Sequence, residues 1–243
     1  MNNDYPQRVA QIYDQCMSEY DYEKAAFLIS KIINDNNLPD SRLLEIGVGT
    51  GLLAEKLNRN GWKIEGLDRS MEMLKKCRER IPEMNLYHQN ILNFGKEKKF
   101  DCIVSHAGPL RMDYTKEKGC FLETYLTDRI QLEKAISSIS KSLTEKGIFI
   151  LSIQHPAICT KELSAPSLKK FKNGYVATTE IIEEAGERIK IRRFINPQNK
   201  VLLEVRHSFF VFKLCQLEKI FKKHNFGELI FDKSGKFCYV IKN

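Results

Sequence analysis

Apolar positions recur at helical spacing in two stretches near the start of the chain. Val9, Ile12, Tyr13 and Cys16 mark one helix within residues 6–19, and Ala25, Leu28, Ile29 and Ile32 mark a second within 22–34. The short run Arg42-Leu43-Leu44-Glu45-Ile46 then enters a glycine cluster, the signature of a buried strand bounded by a turn. Helical spacing resumes over 51–57, a second strand over 62–67 ends at Asp68, and Ser70 can cap a helix over 71–80. Residues 86–89 and 100–104 read as a third and a fourth strand, and a loop opens at Gly108-Pro109. A long helix over 129–143 carries Leu132, Ala135, Ile136, Ile139 and Leu143 on one face. It ends before Lys146-Gly147, and a fifth strand follows at 148–153. Strands alternating with helices at this rhythm predict an α/β fold with a doubly wound, mostly parallel sheet.

After His155 the rhythm changes. Residues 175–182, 188–194 and 201–212 predict three strands with no helix between them, so they pair antiparallel. An amphipathic helix (Leu214, Leu217, Ile220, Phe221), a turn at Phe226-Gly227 and two closing strands around 229–231 and 237–241 complete the chain. The expectation is a single domain over 1–243, with N-terminal helices at 6–35 and a small antiparallel β cap inserted at about 156–205.

Composition narrows the class. With 243 residues, 42% of them hydrophobic, the chain can bury a full core. Its start shows no basic segment followed by an apolar one, and no apolar run reaches the ~20 residues of a membrane span. The seven cysteines are scattered and never spaced C-x-x-C, which argues against a disulfide framework or zinc site and for a reducing, cytoplasmic setting. No other metal site is expected. The net charge of +8 comes from lysine clusters at 96–99, 169–172 and 222–223. No Arg-aromatic stripe accompanies them, so a solvated surface explains them better than nucleic-acid binding.

The chemistry concentrates in Glu45-Ile46-Gly47-Val48-Gly49-Thr50-Gly51, between a strand and a helix. Glycines there allow positive φ and close approach of backbone to a ligand. Asp68 closes the next strand, 21 residues after Gly47, where a carboxylate can accept from both hydroxyls of a ribose. Leu52 stands where a dinucleotide fingerprint needs its third glycine, and no G-x-x-x-x-G-K-[ST] loop is present. Glu45 would repel a pyrophosphate but suits a ligand with an amino group and a sulfonium.

These residues resemble the class I, Rossmann-like S-adenosylmethionine-dependent methyltransferases of the small-molecule type. Glu45, Gly47, Gly49 and Gly51 match the acidic residue and G-x-G-x-G of that family, and Asp68, with Arg69 beside it, matches its ribose acid. Asn90, with the Ile91 backbone, falls at the adenine position, where the family usually has aspartate. Phe100 to Ser105 matches the fourth motif and brings Ser105 and His106 toward the methionine part. Tyr13-Asp14 resembles a helix that lids the cofactor. The resemblance implies S-adenosyl-L-methionine as cofactor and a seven-stranded sheet in the order 3-2-1-4-5-7-6 with strand 7 antiparallel.

Ser105-His106-Ala107-Gly108-Pro109 stands where base-amino methyltransferases carry N-P-P-Y, which disfavours a nucleic-acid substrate. The acceptor implied is a small molecule or small peptide, with a homodimer left open and no membrane partner. His106, His155 and His207 fall at strand ends or on the cap, where a catalytic base could stand. They, with Arg111, Tyr175 and Arg206, are expected to line an acceptor pocket. Phe209, Phe210 and Phe212 read as core. Two alternatives remain: a non-catalytic S-adenosylmethionine-binding protein, and an RNA methyltransferase.

Overall fold

The computed structural model describes residues 7–38, 40–95, 99–115, 119–154, 167–171, 174–184 and 187–243. Two helices open the chain, α1 (Gln7–Met17) and α2 (Tyr22–Asp35). Asp21 caps α2 by accepting from the Lys24 N–H at 2.8 Å. The first sheet takes β1 (Arg42–Ile46), β2 (Lys63–Asp68), β3 (Leu86–His88), β4 (Phe100–Ser105), β7 (Leu143–Ser152), β12 (Ile230–Phe231) and β13 (Phe237–Ile241). Its spatial order is β12-β13-β7-β4-β1-β2-β3. Counted within this sheet alone, that is the expected 3-2-1-4-5-7-6. β13 runs antiparallel to both its neighbours, β7 and β12.

Strand alternation explains why this sheet is buried on both faces. Leu43, Cys102, Val104, Ile148 and Ile150 point to one side, where they pack with α2 and with α3 (Leu52–Arg59). Leu44, Ile46, Ile103, Phe149 and Leu151 point to the other, against α5 (Arg129–Ser142) and α6 (Leu214–Lys223). Between Leu43 and Ile46 this alternation sends Glu45 into the α3 side, an acid at 3% exposure in an apolar layer. Helix α4 (Met71–Arg80) begins at Ser70, whose hydroxyl accepts from the Met73 N–H.

The second sheet is antiparallel and six-stranded, in the order β5-β6-β11-β10-β9-β8. β9 (Val176–Glu184), β10 (Glu187–Ile195) and β11 (Val201–Lys213) are the three strands the sequence predicts. The others are additions: β8 (Ser167–Lys170), and the hairpin β5 (Leu110–Thr115) and β6 (Gly119–Thr124), which follows the fourth strand where a loop is expected. The hairpin escapes a polarity pattern because both of its faces are buried. Leu110 and Met112 enter the first sheet's core, while Arg111 and Asp113, on the opposite side, are equally enclosed. The second sheet therefore also draws on residues 110–124 and on the part of β11 from 206 to 213, outside 156–205. A smaller correction concerns α5, which stops at Ser142 and passes directly into β7, so Lys146-Gly147 is a turn within the following strand and not a helix cap.

Candidate active site

The carboxyl ends of β1, β2 and β4 converge with α1 and the β6–α5 connection around one cavity of about 220 Å³. Gly47, Gly49, Asp68, Arg69, Asn90, Ile91 and Tyr13 all line it, as the sequence reading expects of cofactor-binding residues. The glycines explain the loop's path. Gly47 (φ +74°) lies so close to the loop after β4 that a Cβ would stand 2.7 Å from Pro109 Cδ and 2.9 Å from Gly108 Cα. Gly51 (φ +81°) starts α3 and lies against Cys77, where a Cβ would reach Sγ at 2.7 Å. At Gly49 (φ +57°) the nearest atom to such a Cβ is 4.0 Å away, so the backbone there is open to a ligand.

Asp68 braces this loop. Its Oδ2 accepts from the Gly49 N–H at 2.9 Å and its Oδ1 from the Ser70 N–H at 2.8 Å. Burial raises its pKa, and those two N–H groups oppose the rise. With about four acceptor sites and the Arg69 N–H also directed at it, the carboxylate keeps capacity for a ribose hydroxyl. Glu45 does not line the cavity but lies beneath it. Burial and the Asp68 charge raise its pKa well above the carboxylate range, and its Oε2 has no hydrogen-bond partner among the described residues. An orphaned buried acceptor under a glycine loop fits an ammonium group, as the α-amino group of S-adenosylmethionine would provide.

Asn90 reaches the cavity while capping the 3₁₀ turn at Ile91–Asn93, its Oδ1 accepting from the Leu92 N–H at 3.0 Å. Gln89 and Leu92 flank it and were not legible as site residues. Ser105 is fully buried, and its hydroxyl donates to the Leu110 carbonyl at 2.6 Å. It shapes the turn into the hairpin and leaves the cavity wall to Ala107, Gly108 and Pro109. Ala107 holds a positive φ of 52°, a strained conformation for a residue with a Cβ, and its N–H is held by Ser152 Oγ at 2.9 Å.

Helix α1 closes the cavity from above. Tyr13 lines it, with its hydroxyl pKa raised to about 12 by burial. One residue on, Asp14 accepts from Thr50 Oγ1 at 2.6 Å and pairs with Arg80. The lid is thereby latched to the glycine loop and to the end of α4.

The three candidate bases separate. His207, on β11, stacks edge-on against Tyr125 at 5.5 Å between ring centroids, and Tyr125 lines the cavity. Burial first, and then the charges of Arg192, Arg111, Arg69 and Lys190, lower its pKa to about 4, so the ring is neutral at physiological pH. His106 is absent from the cavity wall. It packs among Tyr20, Tyr22 and Phe237, with centroids 5.2, 6.0 and 5.8 Å away, and burial lowers its pKa to about 4. His155 lies outside the described residues. Among the other expected pocket residues, Arg111 is buried over the Phe209 ring at 4.2 Å. Arg206 is exposed on the opposite face of β11, one residue out of phase with His207. Tyr175 lines a separate small pocket with Ile12 and Cys16.

Behind His207 the sequence conceals a buried ionic network. Glu123 accepts from Arg111 at 2.7 Å and from Lys190 at 2.8 Å, and Arg188 reaches Asp113 at 2.8 Å. All five side chains are at most 4% exposed. Only the assembly of β5, β6 and β10 around β11 in one sheet brings them together, which no local pattern records.

Residues 43–125 match the family model described as a methyltransferase domain. Among curated relatives, a dTDP-3-amino-3,6-dideoxy-alpha-D-glucopyranose N,N-dimethyltransferase of Streptomyces fradiae is 28% identical over 112 residues, 44% of this chain and 44% of that protein. The chain spans about half the length of such relatives. A solved S-adenosylmethionine-dependent methyltransferase from Clostridium acetobutylicum ATCC 824 superposes with a TM-score of 0.73 at 22% identity, over 97% of each chain. The sugar N-methyltransferase of Streptoalloteichus sp ATCC 53650 superposes with a TM-score of 0.74 at 12% identity, over 100% of this chain and 96% of that one. Residues 43–125 are thus similar to a methyltransferase domain, and the sheet order is that of the Rossmann-like fold these solved methyltransferases share. Among the described residues no helix is long and apolar enough to cross a membrane.

Proposed function

We propose that this chain transfers the methyl group of S-adenosylmethionine to the amino group of a small molecule of amino-sugar type. The observation that carries the reading is the pairing of two polar groups on opposite sides of one glycine loop. Asp68 lies at the cavity wall with free acceptor capacity, and Glu45 lies beneath with an orphaned oxygen. The amino-sugar acceptor is supported by the activities of the relatives above. S-adenosylmethionine, when bound, would supply an electrophilic methyl group whose bond to sulfur breaks, with the electrons staying on the departing thioether, as it bonds to the acceptor nitrogen. Glu45 and Asp68 would hold the two ends of the cofactor. Tyr13, latched through Asp14, and Tyr125 exclude water from the reacting end. A neutral amine needs no base to attack, the proton of the new ammonium is lost to solvent, and the neutral His207 ring beside Tyr125 is placed to orient the acceptor amine. Six free cysteines among the described residues support the cytoplasmic setting.

Titration calorimetry with S-adenosylhomocysteine and with NAD tests the cofactor half, with heat expected only from the former. Radiolabelled methyl transfer to a panel of amino sugars, small peptides and RNA tests the acceptor half. Label confined to RNA, or to no acceptor while S-adenosylhomocysteine binds, overturns it in favour of one of the two alternatives.

A further inference from the structure

The inner face of the second sheet carries more positive charge than its carboxylates neutralise. Alternation along β10 turns Arg188, Lys190 and Arg192 to this face, and Arg111, Asp113 and Glu123 arrive from β5 and β6. Arg111 and Lys190 share Glu123. Arg188 has Asp113 at 2.8 Å and Glu183 at 3.7 Å. Arg192 has no carboxylate and no hydrogen-bond partner among the described residues, although its side chain is half-buried. Its sequence neighbour Arg193, turned to the other face, has two carboxylates: Glu204 at 2.5 Å and Glu180 at 3.1 Å. A guanidinium on the outer face is thus fully paired while the one facing inward is not. That inverts what solvation alone favours, because a charge withdrawn from water gains most from a partner.

The position of Arg192 is fixed from three sides. Its cross-strand partners are Val205 on β11 and Thr179 on β9. Val205 packs in one cluster with Ala10, Met73 and Tyr13, and Tyr13 lines the cofactor cavity. The Arg192 charge is also the strongest charge acting on Tyr13, on Cys16 one turn further along α1, and on His207. Arg192 therefore sits on the sheet face beneath the lid helix, behind Tyr13 of the cavity wall and two residues along β10 from the cross-strand partner of His207, without itself lining the cavity.

We propose that Arg192 anchors an anionic group, phosphate or carboxylate, carried by the methyl acceptor. The inference rests on the acceptor reaching the cavity past Tyr13 and His207. The planar five-donor fork of arginine matches two oxygens of either group, and with Arg111, Arg188 and Lys190 matched by Asp113, Glu123 and Glu183, Arg192 is the charge left to bind them. The acceptor is then a charged amine, such as an amino-sugar phosphate or an amino acid, and not a free neutral amino sugar.

The test is calorimetric and does not depend on knowing the acceptor. Inorganic pyrophosphate and, separately, succinate are titrated into the full chain, with and without S-adenosylhomocysteine. The wild type, Arg192→Gln, Arg192→Lys and the outer-face control Arg206→Gln are compared after checking that each unfolds cooperatively. The expected result is saturable binding of at least one anion, weakened at least tenfold by Arg192→Gln, partly kept by Arg192→Lys and unchanged by Arg206→Gln. S-adenosylhomocysteine affinity should be the same in all four. The preferred anion tells phosphate from carboxylate. Absence of saturable binding of either anion to the wild type, or equal binding by Arg192→Gln, overturns the proposal. Loss of S-adenosylhomocysteine binding by the wild type would instead strike the cofactor reading, and the titrations without it still decide the role of Arg192.

Discussion

The backbone N–H of Gly49 donates to Asp68 Oδ2 at 2.9 Å, so the carboxylate proposed above to hold a ribose also holds the glycine loop. The two roles share one side chain. Asp68→Ala should therefore do more than lose a ligand contact. Removing a charge-assisted hydrogen bond to the ligand costs about 1.5–3 kcal/mol, roughly ten- to a hundredfold in affinity. Leaving the Gly49 and Ser70 N–H groups unpaired should lower stability by a further ~1–3 kcal/mol. S-adenosylhomocysteine titration and denaturant unfolding measure the two losses separately. Weakened binding at unchanged stability would show that the loop stands without Asp68.

Gly47 and Gly49 share a positive φ but differ in what surrounds them, and alanine should separate them. At Gly47 the new Cβ meets Pro109 and Gly108 within 3 Å, so Gly47→Ala should shift the loop after β4 and destabilise by about 2–4 kcal/mol. At Gly49 the new Cβ meets no protein atom closer than 4.0 Å, and only the backbone penalty of ~1–2 kcal/mol remains. Melting temperatures of the two variants check the order. Equal losses would mean that φ, and not the crossing of the two loops, dominates at Gly47.

The buried ionic network gives a pH dependence whose direction follows from two groups. Burial would raise the Glu123 pKa, but Arg111 and Lys190 beside it hold it well below the carboxylate range. Its stabilisation is present above the ordinary carboxylate pKa and is lost as pH falls through the depressed one. Lys190 is lowered to about 8, by burial and by Arg111. Between about pH 8 and its ordinary value of 10.5 the unfolded chain holds a proton that the folded chain has released, so this group makes stability rise with pH across that window. Lys190→Met should flatten that rise, as read from urea midpoints at pH 7.5, 9 and 10. Glu123→Gln should cost about 3–5 kcal/mol at neutral pH, because it takes the carboxylate from buried Arg111 and leaves Arg188 and Lys190 to share Asp113. A profile that Lys190→Met leaves unchanged would show that the network titrates elsewhere.

The catalytic sheet was legible because each of its signals is local. Leu43-Leu44 and Ile148 to Leu151 announce strands buried on both faces, and Gly47 to Gly51 announces the turn. The spacing to Asp68 follows from one strand–helix–strand unit. The acceptor side was not legible because its signals are pairings. Arg111, Glu123 and Lys190 look like surface charges along the chain and become core only when β5, β6, β11 and β10 assemble into one sheet. His106 was drawn toward the site by its place at a strand end. Residues Tyr20 and Tyr22, brought back by the turn between α1 and α2, claim its ring instead.

His106 and His207 therefore make a matched pair for a final test. Both rings are buried with pKa lowered to about 4, so each folded site favours the neutral form. Between pH 4 and 6.5 the unfolded chain binds these protons and the folded chain does not, so stability rises with pH over that range. Neither ring can then give the pH–rate profile a break near 6.5, and an acidic limb attributable to His207 should lie near pH 4. His207→Ala should depress kcat at unchanged S-adenosylhomocysteine affinity, by roughly ten- to a hundredfold if the ring orients the acceptor amine. His106→Ala should instead cost stability, about 1–3 kcal/mol through the aromatic packing it supports, and leave a weaker lid and a raised KM for the cofactor. The contrast decides between them. A kcat loss in His106→Ala with no change in stability, alongside a His207→Ala variant of full activity, would exchange the two roles and move the acceptor to the Tyr20 side of the fourth strand.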